Sequence, residues 1–374
     1  MSDMIYADNA ATTALDSVAL DAMMPWFRAE YGNASQPYAF SREPKKALKE
    51  ARRTIADCIG AVPDEIYFTS CGTESDNWAI KGSAFGDTKK RLAITSQIEH
   101  HAVLNSCKSI QRLGYPVEYL PPTSKGIILP DVLEKNITDN TRFVSVMFAN
   151  NEIGTVQPIK ALSDVAHSHG AIFHTDAVQA VGHIPIDVHS LGVDMLSASA
   201  HKFNGPKGIG FLYIKNGINI SPLIDGGAQE FGMRAGTENI ASIVGMAAAL
   251  ENNCQHMKEN ITHIKDLEQA LIKGLDQSGI AYVRNGTDDK LPGLLSLSFA
   301  GKDGEAILHR MDLLGISIST GSACDSVNKE ISHVLKAIRL DENLAKGTIR
   351  ISLGKNNTRD DVECILRSLV KTLA

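Results

Sequence analysis

Ala171-Ile172-Phe173-His174-Thr175-Asp176 is a strand-like run ending in an acid. Asp194-Met195-Leu196-Ser197-Ala198-Ser199-Ala200-His201-Lys202 is a second apolar run, ending in a lysine that lies 26 residues after Asp176 and just before Gly205-Pro206. A lone lysine after a strand is usually a solvated end. An acid and a lysine, each at the carboxyl end of its own strand, instead point to one crevice of an open α/β sheet, where such folds bind ligands.

The flanking chain carries the same alternation. Working back, helical spacing over 160–169 leads into the first strand, and Arg142–Phe148 is a nearly continuous apolar run, as in a strand buried on both faces. Ala102–Leu113 and Ser75–Gly82 read as helices, Arg91–Thr95 and Glu65–Thr69 as strands. Over Glu43–Ile59, Leu48, Ala51, Ile55 and Ile59 recur at helical spacing, and Gly60 is a natural stop. Working forward, Gly208–Ile214 reads as a strand. The fold class is therefore α/β, a mostly parallel sheet with helices on both faces.

Near residue 240 the pattern changes to α+β. Two long helical stretches, Ile240–Asn252 and Asn260–Leu275, precede strand-like 294–299, 316–319 and 348–353, with helices 305–314, 332–338 and one from Arg359. In the second, Ile261, Ile264, Leu267, Leu271 and Leu275 form one apolar face. At 374 residues the chain exceeds what one core usually supports, so a second, smaller domain is expected.

Bulk properties narrow the classes of function. Hydrophobic content is 43%, charged content 21% and net charge −6, an ordinary globular composition. No basic stripe suggests nucleic acid as a partner. The first residues lack the pattern of a secretion signal, and no apolar stretch reaches the length of a membrane span. A cytoplasmic protein is expected. None of the six cysteines forms a C-x-x-C pair, so no metal site is expected. The cysteines read as reduced thiols, most of them small buried hydrophobes. Cys324 is the exception.

Several stretches carry chemistry. Pyridoxal phosphate needs a pair like Asp176 and Lys202: a lysine for a Schiff base and a carboxylate to hold the ring nitrogen protonated. Thr69-Ser70-Cys71-Gly72-Thr73-Glu74-Ser75 lies between a strand and a helix, where free backbone N–H groups suit a phosphate, although an ordinary capped turn reads the same way. Glu99-His100-His101 and Ala149-Asn150-Asn151-Glu152 also follow strands. An imidazole there can stack on the cofactor ring and move protons; the asparagines can reach its hydroxyl or simply make a turn. Cys324, set among Gly, Ser and Ala in Ser319–Ser326, is a candidate nucleophile or a loop cysteine without a role. Arg350 sits inside the apolar strand Thr348–Ser352, where a guanidinium needs an anion: a structural partner or a substrate carboxylate.

Together these motifs resemble the cysteine desulfurases of the nitrogen-fixation and iron–sulfur-cluster-assembly type, within the class V aminotransferase-like, fold-type I pyridoxal enzymes. The resemblance runs over essentially the whole chain. It rests on Tyr6–Thr13, Phe68–Asn77, Glu99-His100, Asn150–Gly154, Asp176–Gln179, Ser199–Lys202, Gly205–Gly208, Arg234–Asn239, Gly321–Cys324 and Arg350–Gly354. It implies Lys202 as the Schiff-base lysine, Asp176 as the ring-nitrogen partner and His100 stacked on the ring. Gln179 and Asn151 would lie near the ring hydroxyl. Gly72, Thr73, Ser199 and His201 would hold the phosphate, with Thr237 of a second subunit completing the cradle in a homodimer. Asn33 and Arg350 would grip the carboxylate of L-cysteine, and Cys324 would accept its sulfur as a persulfide for an acceptor protein, such as an iron–sulfur scaffold or thiolation enzyme. The large domain would span 16–255, and 1–15 would join 256–374 as the small one. Ala14, Ala34, Tyr38 and Cys71 depart from the usual pattern. A selenocysteine lyase on the same fold, or a catalytically weak sulfur carrier, are the other readings.

Overall fold

The computed structural model describes residues 4–86, 89–320 and 331–373. Its strands are β1 (Ile5–Tyr6), β2 (Ile66–Thr69), β3 (Leu92–Ser96), β4 (Val117–Leu120), β5 (Thr141–Ser145), β6 (Ile172–Asp176), β7 (Met195–Ser199), β8 (Gly210–Ile214), β9 (Val283–Arg284), β10 (Leu294–Ser298), β11 (Ile316–Ser317) and β12 (Thr348–Ser352). Seven form the main sheet in the order β2-β8-β7-β6-β5-β3-β4. From β7 through β4 every pairing is parallel, whereas β8 is antiparallel to both β7 and β2. Two reversals cancel, so β2 points the same way as β7. The carboxyl ends of β2, β3, β5, β6 and β7 thus share one edge of the sheet.

Side-chain alternation along these strands divides the core in two. Phe143, Ile172, Met195 and Leu212 face one side, where they pack with Trp78, Val103 and Ile110 from the helices Gly72–Gly86 and His101–Arg112. Val144, Phe173, Leu196 and Phe211 face the other, against Ile55, Leu162 and Met246 of the helices Arg42–Ile59, Ile159–Ser168 and Ile240–Gln255. This period of two explains the unbroken apolar runs: both faces are covered, so no position needs to be polar. Each fully buried Ile, Leu or Phe contributes about 1.5–3 kcal/mol relative to exposure.

The 42–59 helix stops at Gly60 in the left-handed region (φ +71°), as the sequence predicts. It is fixed by buried Arg52, whose guanidinium pairs with Glu230 at 2.7 and 2.9 Å and also donates to the carbonyl of Ile66. Glu230 in turn accepts from the backbone N–H of Phe68 at 2.8 Å.

Beyond the 240–255 helix, β12-β10-β9 form an antiparallel sheet. Leu295, Leu297, Ile349 and Ile351 pack there with Leu267, Leu271 and Leu275 of the helix Met257–Ser278 and with the C-terminal helix Arg359–Leu373. β1 pairs with β11, so the first residues join this unit, while Val334, Leu335 and Ile338 pack into the core of the main sheet. Some expectations shift. Strand pairing in the 142–148 run ends at Ser145, though Val146 and Phe148 still donate to the carbonyls of His174 and Asp176. The strand expected at 316–319 is only two residues long. Among the described cysteines only Cys107 is buried; Cys58, Cys71, Cys254 and Cys364 are half-buried, against the expectation of mostly core thiols.

Candidate active site

The shared edge of strand ends opens into a crevice of about 310 Å³. Asp176 ends β6. Lys202 follows β7 in the single turn Ala200–Lys202. The Lys202 amine donates to the carbonyls of Ala10 at 2.6 Å and Ala11 at 2.8 Å, and its own carbonyl accepts from His183 Nε2 at 2.8 Å. Ala10 and Ala11 are therefore part of the wall of the crevice. Thr13 braces the turn further, its hydroxyl donating to the carbonyl of His201 at 2.9 Å.

Asp176 is buried and accepts from the Val178 N–H at 3.0 Å. Burial pushes its carboxyl up, while His100, that N–H and Lys202 pull it back. His100 caps the 101–112 helix: its Nδ1 accepts from the Ala102 N–H at 3.1 Å, which leaves the ring proton on Nε2. Burial holds this imidazole below its ordinary value, against the pull of Asp176.

Behind Asp176 stands Asp76, which the sequence reading passed over. It is buried in the 72–86 helix, and atoms of Asp76, His100 and Asp176 lie within 4.8 Å of one another. Burial, then Asp176, raises its carboxyl well above the ordinary range, and its Oδ1 has no hydrogen-bond partner among the described residues. As a helical acid between Ser75 and Asn77 it gave no signal; only burial exposes it. His174 is a support. Its two ring nitrogens bond the hydroxyls of Ser145 and Ser197, each at 2.9 Å, and burial lowers it to about 3.

Gly72, Thr73, Ser199 and His201 line the same crevice, as do Asn151 and Gln179. A Cβ on Gly72 would lie 2.6 Å from Val178 Cγ2 and 3.3 Å from Ser199 Cβ, so only glycine fits the start of that helix. Glu74 stiffens the turn by accepting from the Ser70 N–H at 2.8 Å and pairing with Arg234 at 2.8 Å. Gln179 donates to the Ala10 carbonyl at 2.9 Å.

Arg350 reaches the crevice and is buried. It pairs with Asp8 at 2.7 Å and donates to the Asn151 carbonyl at 2.8 Å, and its Nε has no partner among the described residues. The anion it requires is thus Asp8, with one donor left over. His101 and His333 also line the crevice, their ring centroids 4.8 Å apart; His101 belongs to the Glu99-His100-His101 stretch, whereas His333 was not assigned a role in the sequence. Asn33 is not in the lining; its side-chain oxygen accepts from the Ser35 N–H at 2.8 Å. Thr237 lies in a separate hollow with Ser70, Gly208 and Arg234. Cys324 lies outside the described residues. Among the described residues no helix is long and apolar enough to cross a membrane.

The sequence profile of class-V aminotransferases matches residues 5–365. The chain belongs to the class-V aminotransferase family. Within this family it is similar to a cysteine desulfurase IscS of Dictyoglomus turgidum, 47% identical over 375 residues, covering 100% of this chain and 95% of that protein. A cysteine desulfurase IscS of Methanosarcina thermophila is 45% identical, with coverage of 97% and 90%. Among solved structures, a NifS-like protein superposes with a TM-score of 0.93 at 38% identity, covering 98% of each chain. The protein SspA, solved in complex with cysteine, gives 0.84 at 37% identity, covering 95% of this chain and 100% of that one.

Class-V aminotransferases of this kind are pyridoxal-phosphate enzymes, and the residues present fit that cofactor. A buried carboxylate faces a lysine amine across one crevice, a neutral imidazole stands beside them, and the Gly72 cradle admits no side chain.

Proposed function

We propose that this protein is an L-cysteine desulfurase, releasing L-alanine and leaving the sulfur as a persulfide on Cys324. The observation that carries the reading is the meeting of Lys202, Asp176 and Arg350 in one crevice, in a chain whose full-length relatives bear that name. Bound pyridoxal phosphate would supply an electron sink for the substrate carbon next to the amine. Gly72, Thr73, Ser199 and His201 would hold its phosphate, Asp176 would keep the proton on its ring nitrogen, and Gln179 and Asn151 would reach its hydroxyl. His100, neutral and fixed by Ala102, would lie against the ring.

The substrate carboxylate would bind at Arg350, where Nε remains to donate, assisted by Asn33. The Lys202 amine would take the proton from Cα and return it later. The Cys324 thiolate would attack the substrate sulfur: an S–S bond forms, the Cβ–S bond breaks, and its electron pair leaves with the carbon fragment. Proton return gives alanine, so cysteine and one enzyme thiol become alanine and one enzyme persulfide.

The protein would act in the cytoplasm as a homodimer that brings Thr237 to the partner's phosphate cradle, and would pass sulfur to an iron–sulfur scaffold or thiolation enzyme. The division into 16–255, and 1–15 with 256–374, belongs to the same reading. The test is alanine release from L-cysteine by purified protein with pyridoxal phosphate and a reductant. Stoichiometric alanine and sulfide are expected. Alanine from selenocysteine but none from cysteine would overturn the assignment in favour of a selenocysteine lyase.

A further inference from the structure

The 42–59 and 240–255 helices pack against each other and each brings a cysteine to its last turn. Cys58 is the penultimate residue of the first, Cys254 of the second. They are 196 positions apart in sequence, yet Cys254 Sγ lies 4.0 Å from the Cys58 carbonyl oxygen, to which its S–H is directed. Both are half-buried, unlike Cys107 in the core. Neither lines the crevice, so the desulfuration reading makes no use of them.

We propose that Cys58 and Cys254 are a redox-active dithiol, a covalent modification site that low-molecular-weight disulfides close into an intramolecular disulfide. The two sulfurs are placed alike, each at the penultimate residue of its helix and each half-buried, so either can attack first. One thiolate attacks one sulfur of the small disulfide, expelling a thiolate and leaving a mixed disulfide. The other thiol then gives its proton to solvent and attacks the first sulfur, expelling the second thiolate. The protein loses two electrons and two protons, and the small disulfide becomes two thiols.

The position gives the cross-link a target. Asn253, next to Cys254, donates to the Phe203 carbonyl at 2.7 Å, one residue beyond Lys202. Asn252 donates to Asp16 at 2.9 Å. A disulfide would fasten this turn to the end of the 42–59 helix, and with it the segment behind the crevice.

The experiment treats the cofactor-loaded protein with oxidised glutathione, in parallel with a Cys324→Ser variant, and maps disulfide-linked peptides by mass. The expected result is one linked pair, Cys58 with Cys254, a loss of two hydrogens, and a higher unfolding temperature that reductant reverses. Cys58→Ser is expected to trap a glutathione adduct on Cys254, Cys254→Ser one on Cys58, and neither variant to form the cross-link. Oxidised protein in which both thiols still take an alkylating reagent, or single variants whose remaining thiol takes no adduct, would overturn the proposal. The readout is mass and not alanine, so it stands apart from the fate of the desulfurase reading.

Discussion

Lys202 and Gly72 are the two positions where one substitution separates the chemistry from the cradle. Lys202 is held by the carbonyls of Ala10 and Ala11; Lys202→Ala removes the amine, and the Ala10 carbonyl keeps Gln179 as its donor. The bound cofactor should lose its visible absorption, and alanine release should fall about 10³-fold or more; an unchanged spectrum would remove Lys202 from its role. Gly72→Ala asks a different question. Its Cβ must push Val178 Cγ2 from 2.6 Å, an overpacking that costs about 1–3 kcal/mol. Because the strain falls in the phosphate cradle, cofactor affinity should drop about tenfold or more, corresponding to about 1.4 kcal/mol, as fluorescence titration would read. Affinity equal to the parent would mean that the start of the 72–86 helix does not carry the phosphate. At this scale the sequence exposed what the period of its strands could place: Asp176 and Lys202 are the residues at which two buried runs end. It concealed Asp76, because an acid within a helix looks like any solvated face until the packing around Trp78 and Val103 covers it. It also concealed His333, whose ring reaches the Glu99 carbonyl at 2.9 Å across 234 residues of chain.

Elements are tied together at the centre of the sheet by His174, which bridges β5 and β7 from its place on β6 through Ser145 and Ser197. Burial lowers its value to about 3, against 6.5 for an unperturbed imidazole. The unfolded chain therefore binds a proton that the folded one refuses between these two values. Stability from this residue is fully present above pH 6.5 and is lost as pH falls toward 3. Denaturant unfolding of the parent should weaken over that window more steeply than that of His174→Gln, which keeps polar groups but cannot titrate. Parallel pH profiles would mean that the imidazole is not held neutral. The strands around His174 were legible because both their faces are covered, which makes them continuous apolar runs. β4 was not: with Val117 and Tyr119 only half-covered and Glu118 exposed at the sheet edge, Val-Glu-Tyr-Leu is too short and too mixed to stand out from a loop. Strand order was beyond reach as well, since β8 enters between β2 and β7 by a pairing of residues more than a hundred positions apart.

At the scale of the whole molecule, a run of large apolar side chains lies open between Leu15 and Phe40, with Phe27 57% and Tyr31 71% exposed. Uncovered apolar surface of this kind marks an interaction face, and it is the face the proposed dimer would cover. Thr237 is also exposed and lies outside the crevice of its own chain. If it serves the partner's cofactor, its loss and the loss of Lys202 fall on different sites when two defective chains pair. Thr237→Ala should weaken cofactor binding by about 1–3 kcal/mol, and Lys202→Ala should be inactive. Unfolded together and refolded as a mixture, they form heterodimers with one site lacking both residues and one site lacking neither. Alanine release should then exceed that of either variant refolded alone. If Thr237 instead served its own chain, every heterodimer would hold one lysine-less site and one threonine-less site, and mixing would restore nothing. Sedimentation of the parent as a dimer is the companion observation, because a monomer with full activity would place Thr237 outside the reaction altogether.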